Sequence, residues 1–100
     1  MIRRLDGPSK QGNASVTTTT PFEVKVGASA AAREVVTIQA DQSIYVYFAD
    51  EGETPNAAAV AASGFTQTRN IINTYEASTR QTLWVLAVSL TASVRFAERG

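Results

Sequence analysis

Apolar and polar residues alternate in several short segments of this chain. The clearest example lies between Phe22 and Val26, where three apolar residues alternate with Glu23 and Lys25. A period of two places successive side chains on opposite faces of the backbone, so this pattern predicts a β-strand with one buried face. The same period recurs near the end of the chain, where it predicts a strand over residues 92–98.

Other segments are rich in β-branched and aromatic residues, which favour strands, and turn-forming residues separate them. They predict further strands over residues 16–20, 34–39, 43–49, 66–76 and 82–89. Residues 57–62 have helix-forming composition but are too few for a helix that is stable alone, so we expect one or two helical turns or a loop packed on a sheet. Together these elements predict an all-β fold, either an antiparallel β-sandwich or a jelly-roll-like barrel, of six or seven short strands.

The N-terminal segment lacks this pattern. Residues 1–15 contain Gly7, Pro8 and Gly12 and show almost no apolar periodicity, which predicts an extended N-terminal arm. A chain of 100 residues is the size of one domain. We therefore expect an arm over residues 1–15 and a single β-sandwich domain over residues 16–100.

Two predicted strands are apolar on both faces. Ile44–Phe48 and Leu83–Val88 each carry bulky apolar side chains at consecutive positions, whereas a strand with one face in water should alternate. The second face must be covered, either by a loop, residues 57–62 or the arm of the same chain, or by another subunit. The candidate residues for an oligomer interface are Tyr45, Tyr47, Trp84, Leu86 and Val88.

Composition removes most enzyme classes from consideration. Nine Lys and Arg residues balance nine Asp and Glu residues, so no global field attracts nucleic acid or an anionic membrane. The chain has no Cys and no His, and so lacks the usual thiolate nucleophile, the commonest general base and two common metal ligands. We expect no enzymatic activity, no cofactor, no metal site and no small-molecule substrate.

An acidic cluster is the strongest candidate for ion binding. Asp50, Glu51 and Glu53 surround Gly52, and three carboxylates so close together have the chemistry to hold a hard cation. Their spacing is not that of an EF-hand loop, and acidic residues are also common in solvated turns. The solvated turn is the simpler interpretation.

Several segments resemble a known class of proteins. The runs Arg33–Gln39, Ser43–Phe48 and Thr54–Asn56, and the ending Leu83–Glu98, resemble small β-sandwich virion proteins of tailed bacteriophages. The similarity covers roughly residues 33–98, and the Ala-rich insert between Asn56 and Gly64 departs from the pattern.

This resemblance implies a capsid decoration or cement protein. Such a protein is typically a homotrimer on the outside of the head shell, where it clamps adjacent subunits of the major capsid protein and has no catalytic residues. The arm would then contact the capsid, with Arg3, Arg4, Leu5 and Lys10 as candidate residues. The alternatives are a phage fibre or a tail or neck adaptor that binds a receptor, a glycan or a neighbouring ring.

The expected location follows from the same interpretation. The first eight residues are charged and then broken by Gly7 and Pro8, whereas a signal peptide has an apolar stretch there. We therefore expect the chain to be made in the cytoplasm of the bacterial host and carried on the capsid surface of the virion.

Overall fold

Two antiparallel sheets of four strands pack face to face, as seen in a computed structural model that describes residues 9–25, 35–50, 52–76 and 81–99. The all-β sandwich predicted from the sequence is confirmed. The described elements are β1 (Ser9–Val16), β2 (Phe22–Glu23), β3 (Val35–Ala40), β4 (Ile44–Asp50), α1 (Ala57–Ser63), β5 (Phe65–Gln67), β6 (Ile72–Glu76), β7 (Gln81–Ala87) and β8 (Ala92–Arg99).

The strand order defines the central and the edge strands of each sheet. Sheet A has the order β1-β8-β3-β6, and sheet B has the order β2-β7-β4-β5. All described pairs are antiparallel. The edges are therefore β1 and β6 in sheet A, and β2 and β5 in sheet B.

The hydrophobic core lies between the sheets and follows the alternation of the strands. In β3, for example, Val36, Ile38 and Ala40 are buried, while the intervening residues are only half-buried. The core contains these three residues and Val16, Val24, Ile44, Val46, Leu83, Val85, Ala87, Ala92, Val94 and Phe96. Its small β-branched side chains suit a pleated surface that is half buried.

The predicted arm begins to pair with the sandwich earlier than expected. Residues 9–15 form β1 together with Val16, in register with β8 from Ser9 opposite Arg99 to Val16 opposite Ala92. The expected boundary at residue 15 is therefore wrong for this segment, and residues 1–8 lie outside the described part of the chain. The alternation of β1 is hard to recognise in the sequence, because two of its core-side residues, Gly12 and Ala14, are small.

The strand predicted over residues 66–76 is instead two strands in different sheets. β5 pairs with β4, and β6 pairs with β3. Between them Asn70 adopts a φ of 62°, a left-handed conformation that Asn tolerates better than most residues. Its backbone N–H donates to the carbonyl of Ala40 at 2.8 Å. This turn carries the chain from one sheet to the other.

The strand predicted over residues 16–20 is wrong, and the described part of the strand predicted over residues 22–26 is shorter than expected. The chain leaves β1 after Val16, and the N–H of Thr20 donates to Thr17 Oγ1 at 3.2 Å, so residues 17–20 form a turn. β2 has only two residues, although Val24 is fully buried and donates its N–H to the carbonyl of Leu83. The predicted end of that strand at Val26 lies outside the described residues.

The Ala-rich segment forms the short helix α1, which packs on the outside of sheet B against β4 and β7. Asn56 caps it by accepting a 2.8 Å hydrogen bond from the N–H of Ala59, as short polar side chains do at this position. Val60 is fully buried under the helix. Seven residues are too few for a helix to persist in isolation, so the packing stabilises α1.

Candidate functional site

The outer face of sheet B carries the residues that were predicted from the sequence to form an oligomer interface. β4 and β7 are neighbours in the middle of this sheet, and their register sets Tyr45 opposite Leu86 and Tyr47 opposite Trp84. The alternating residues of both strands enter the core between the sheets. Four of the five nominated side chains therefore form a compact group on one face, and Val88 follows at the end of β7.

Helix α1 covers part of this face. Leu86 is only 2% exposed and Ala49 1% exposed, yet neither belongs to the core between the sheets. Both occupy outward positions on the strands against which α1 packs. Leu86 is therefore buried by its own chain. At this position no second subunit is needed to cover the outer apolar face of the strand.

The remaining members of the group keep part of their surface in solvent. Tyr45, Tyr47, Trp84 and Val88 are all half-buried. We refer to these four residues as the aromatic face. Aromatic side chains with a polar tip are common at protein interfaces, because they supply a large apolar area and still form hydrogen bonds.

Hydrogen bonds hold two aromatic residues of this face. The hydroxyl of Tyr47 donates to Glu53 Oε2 at 3.1 Å, and Trp84 Nε1 donates to Thr82 Oγ1 at 2.9 Å. The hydrogen bond to Glu53 raises the pKa of the Tyr47 hydroxyl above its ordinary value, and partial burial adds to this effect. Both polar tips are therefore satisfied within the chain, and the rings remain available for apolar contact.

Apolar residues outside the nominated group are more exposed still. Phe65 is 67% exposed and Leu90 is 60% exposed. Leu90 lies in the turn that joins β7 to β8, two residues after Val88. The apolar pattern of the sequence identified neither residue, because each is a single apolar residue in or beside a turn. Leu90 could have been identified from the sequence, because it is a large apolar residue in a turn. Its neighbours show no alternation that would place it in a core.

The acidic cluster forms a turn. Glu53 accepts a hydrogen bond from the N–H of Asp50 through Oε1, and its own N–H donates to the carbonyl of Asp50. Gly52 allows this turn with a φ of 86°. Glu51 lies outside the described residues. Among the residues that are described, no three His, Cys, Asp or Glu side chains come together as a metal-binding group.

Three of the four residues predicted to contact a capsid lie outside the described residues. Arg3, Arg4 and Leu5 precede its first residue. Lys10 belongs to the edge strand β1, where its backbone is in register with Glu98 of β8. The structure thus attaches the end of the predicted arm to an edge of sheet A, on the sheet opposite the aromatic face.

Comparisons with known proteins returned no match to any family model, curated protein or solved structure. In the part of the chain that the structure describes, no helix has the length and apolar character needed to cross a membrane.

Proposed function

We propose that this chain is a non-enzymatic structural protein of a bacteriophage virion, which assembles with copies of itself and binds the outside of the head shell as a cement protein. The observation that carries the proposal is the aromatic face, which keeps three aromatic side chains and Val88 partly exposed after α1 has covered Leu86. Clustered aromatic residues on a small β-sandwich favour assembly over catalysis.

The fold suits this mechanical role. Two sheets pack through a continuous core, and the aromatic face on sheet B keeps part of its surface exposed for a partner. In the proposed arrangement the aromatic face joins copies of the chain, as a homotrimer in the cement proteins it resembles, and the N-terminal residues contact the major capsid protein. Binding that is specific for the assembled shell stabilises that shell by mass action.

Sedimentation experiments test the two parts separately. The oligomeric mass of the purified chain should exceed that of the 10.7 kDa monomer, with a trimer as the expected species. The chain should also co-sediment with expanded, empty heads of the phage whose genome encodes it. A chain that stays monomeric at high concentration and does not bind those heads would overturn the proposal.

A charge placed on the aromatic face tests the self-association surface. Trp84→Glu and Val88→Glu should each convert the oligomer to a monomer, because burying an unpaired carboxylate at an interface is costly. Ser15→Glu is the matched control, since Ser15 is exposed on the outer face of sheet A. Circular dichroism should show that all three variants keep the β-fold. An unchanged oligomer in both aromatic-face variants would place the interface elsewhere.

A further inference from the structure

A depression of about 380 Å³ opens on the outer face of sheet A, away from the aromatic face. Its floor is formed by the central strands β8 and β3, and its sides reach β1 and the first residue of β6. A second depression of about 230 Å³ continues it, because both share Gln39 and Arg95 as lining residues. This groove has the size of small-molecule sites in proteins.

The register of sheet A explains why polar side chains line the groove. Arg95 on β8 lies between Asn13 on β1 and Gln39 on β3. One row further along, Ala97 lies between Gln11 and Thr37. The small methyl group of Ala97 leaves the depression between these longer side chains, so the shape follows from one alanine at the centre of a polar face.

Most of these polar groups are uncommitted, whereas the Thr37 hydroxyl shares a 3.1 Å hydrogen bond with that of Thr74. Within the described part of the chain, the side chains of Gln11, Asn13, Gln39 and Arg95 make no hydrogen bond or ion pair. Amides offer both donors and acceptors, and a guanidinium presents a fork of donors that matches a carboxylate. Among the described residues, Arg95 is the only charged one that lines the larger depression. Asp41, in the smaller one, uses its Oδ1 to accept the N–H of Ser93 at 2.7 Å.

The location of the groove limits the ligand class. Peptides that bind sheets usually add a strand to a free edge, but the floor lies on β8 and β3, which pair with neighbours on both sides. Nucleic acid bases usually stack on aromatic rings, whereas Phe96, the only aromatic residue among the described ones that line the groove, is buried in the core. Recognition must therefore use side-chain amides, a hydroxyl and one guanidinium.

We infer that this groove binds a short saccharide that carries a carboxylate, such as an oligosaccharide of uronic acids. Arg95 pairs with the carboxylate, and Gln11, Asn13 and Gln39 exchange hydrogen bonds with ring hydroxyls. Ile72, which is 62% exposed at the end of the groove, contacts the apolar side of a ring. This inference is independent of the proposed assembly, because the groove lies on the other sheet.

Nuclear magnetic resonance titration of the full chain tests the site. A trigalacturonate added to roughly 20 mM, several-fold above a millimolar Kd, should shift the amide signals of Gln39, Arg95 and Ala97 in a saturable way. Arg95→Ala should weaken binding about tenfold or more, because hydrogen bonds to charged groups are the strong ones. Arg69→Ala, which removes an exposed arginine from a turn outside the groove, should leave the affinity unchanged.

Filling the depression provides a second variant. Ala97→Leu should abolish the saturable shifts, while a dispersed amide spectrum shows that the sandwich is intact. Absence of saturable binding to the wild type, equal binding of a neutral trisaccharide, tighter binding of a triglutamate peptide, or full affinity in Arg95→Ala would each overturn the inference. The oligomeric mass of Arg95→Ala should equal that of the wild type, so failure of this site is distinguishable from failure of the proposed assembly.

Discussion

The hydroxyl of Tyr75 donates a 2.6 Å hydrogen bond to Gln67 Oε1, and this bond joins the edge strand of one sheet to the edge strand of the other. Gln67 is only 2% exposed and donates through Nε2 to the carbonyls of Ile38 and Ile71. A buried amide with its polar atoms paired stabilises a unique arrangement. The network closes this side of the sandwich.

Removal of the Tyr75 hydroxyl should destabilise the fold. Tyr75→Phe leaves the buried Oε1 of Gln67 without its donor, so the free energy of unfolding should fall by about 1 to 2 kcal/mol. Urea unfolding followed by the fluorescence of Trp84, the single tryptophan, measures the change. Tyr45→Phe is the control, since the Tyr45 hydroxyl makes no hydrogen bond in the described part of the chain. Equal losses in the two variants would contradict this account.

Replacement of the Gln67 amide should lower the free energy of unfolding more than removal of the Tyr75 hydroxyl. Gln67→Leu removes the donor that Nε2 supplies to the buried carbonyls of Ile38 and Ile71, and we expect the free energy of unfolding to fall by about 2 to 3 kcal/mol. Combined with Tyr75→Phe, it should cost less than the sum of the single changes, because both remove the same hydrogen bond. The control Gln39→Leu alters an uncommitted side chain. Additive losses in the double variant would show that the two residues act independently.

The end of α1 depends on a glycine for a steric reason. A Cβ on Gly64 would lie 2.5 Å from the carbonyl oxygen of Val60 and 3.1 Å from that of Val46. Because both atoms are backbone, Gly64→Ala should force the helix away from β4 and cost about 2 to 3 kcal/mol. Gly52→Ala is the comparison: its Cβ would meet open space, and its φ of 86° should cost only about 1 kcal/mol. Thermal or urea unfolding that ranks the two variants in the reverse order would refute this reason.

Alkaline pH should destabilise the fold through Tyr75. Burial raises the pKa of its hydroxyl above the ordinary value of 10.0, against a smaller opposing effect of Asn73. The stabilising contribution of the neutral phenol is therefore complete below that ordinary value and is lost as the pH rises through the raised pKa.

Unfolding measured at intervals between about pH 8 and pH 11 checks this sign. The free energy of unfolding should decline less steeply with pH in Tyr75→Phe than in the wild type. Tyr47→Phe should change the slope less, because the Tyr47 hydroxyl bonds to Glu53 at an exposed site. Identical slopes in the wild type and Tyr75→Phe would contradict the prediction.

The elements with long β-branched runs were the most predictable. The strand predicted over residues 43–49 is β4, and that over residues 34–39 is β3, each within about one residue. The strand predicted over residues 66–76 was wrong because Ile71 and Ile72 suggested continuity. In the structure, the turn at Asn70 separates two strands that pair with different sheets, and pairing partners are not encoded in local preference.

The candidate surfaces were only partly predictable. The consecutive apolar residues of β4 and β7 correctly indicated that both faces of these strands need apolar neighbours. Sequence reasoning left open what covers the outer face, and the packing of α1 shows that part of the cover comes from the same chain. The saccharide groove was not foreseen, because its residues lie on three strands that are distant in sequence and adjacent only through the register of sheet A.

The sequence by itself determined that this protein is an all-β domain with a short Ala-rich helical segment, since alternation and β-branched composition act on each strand locally. Only the tertiary structure decided that residues 9–15 join an edge of sheet A, that Leu86 is buried on the face of sheet B where α1 packs, and that Arg95 lies beside Asn13 and Gln39. These outcomes depend on hydrogen bonds and packing between distant segments. Such contacts follow from the pairing of whole strands and not from the preference of any one residue.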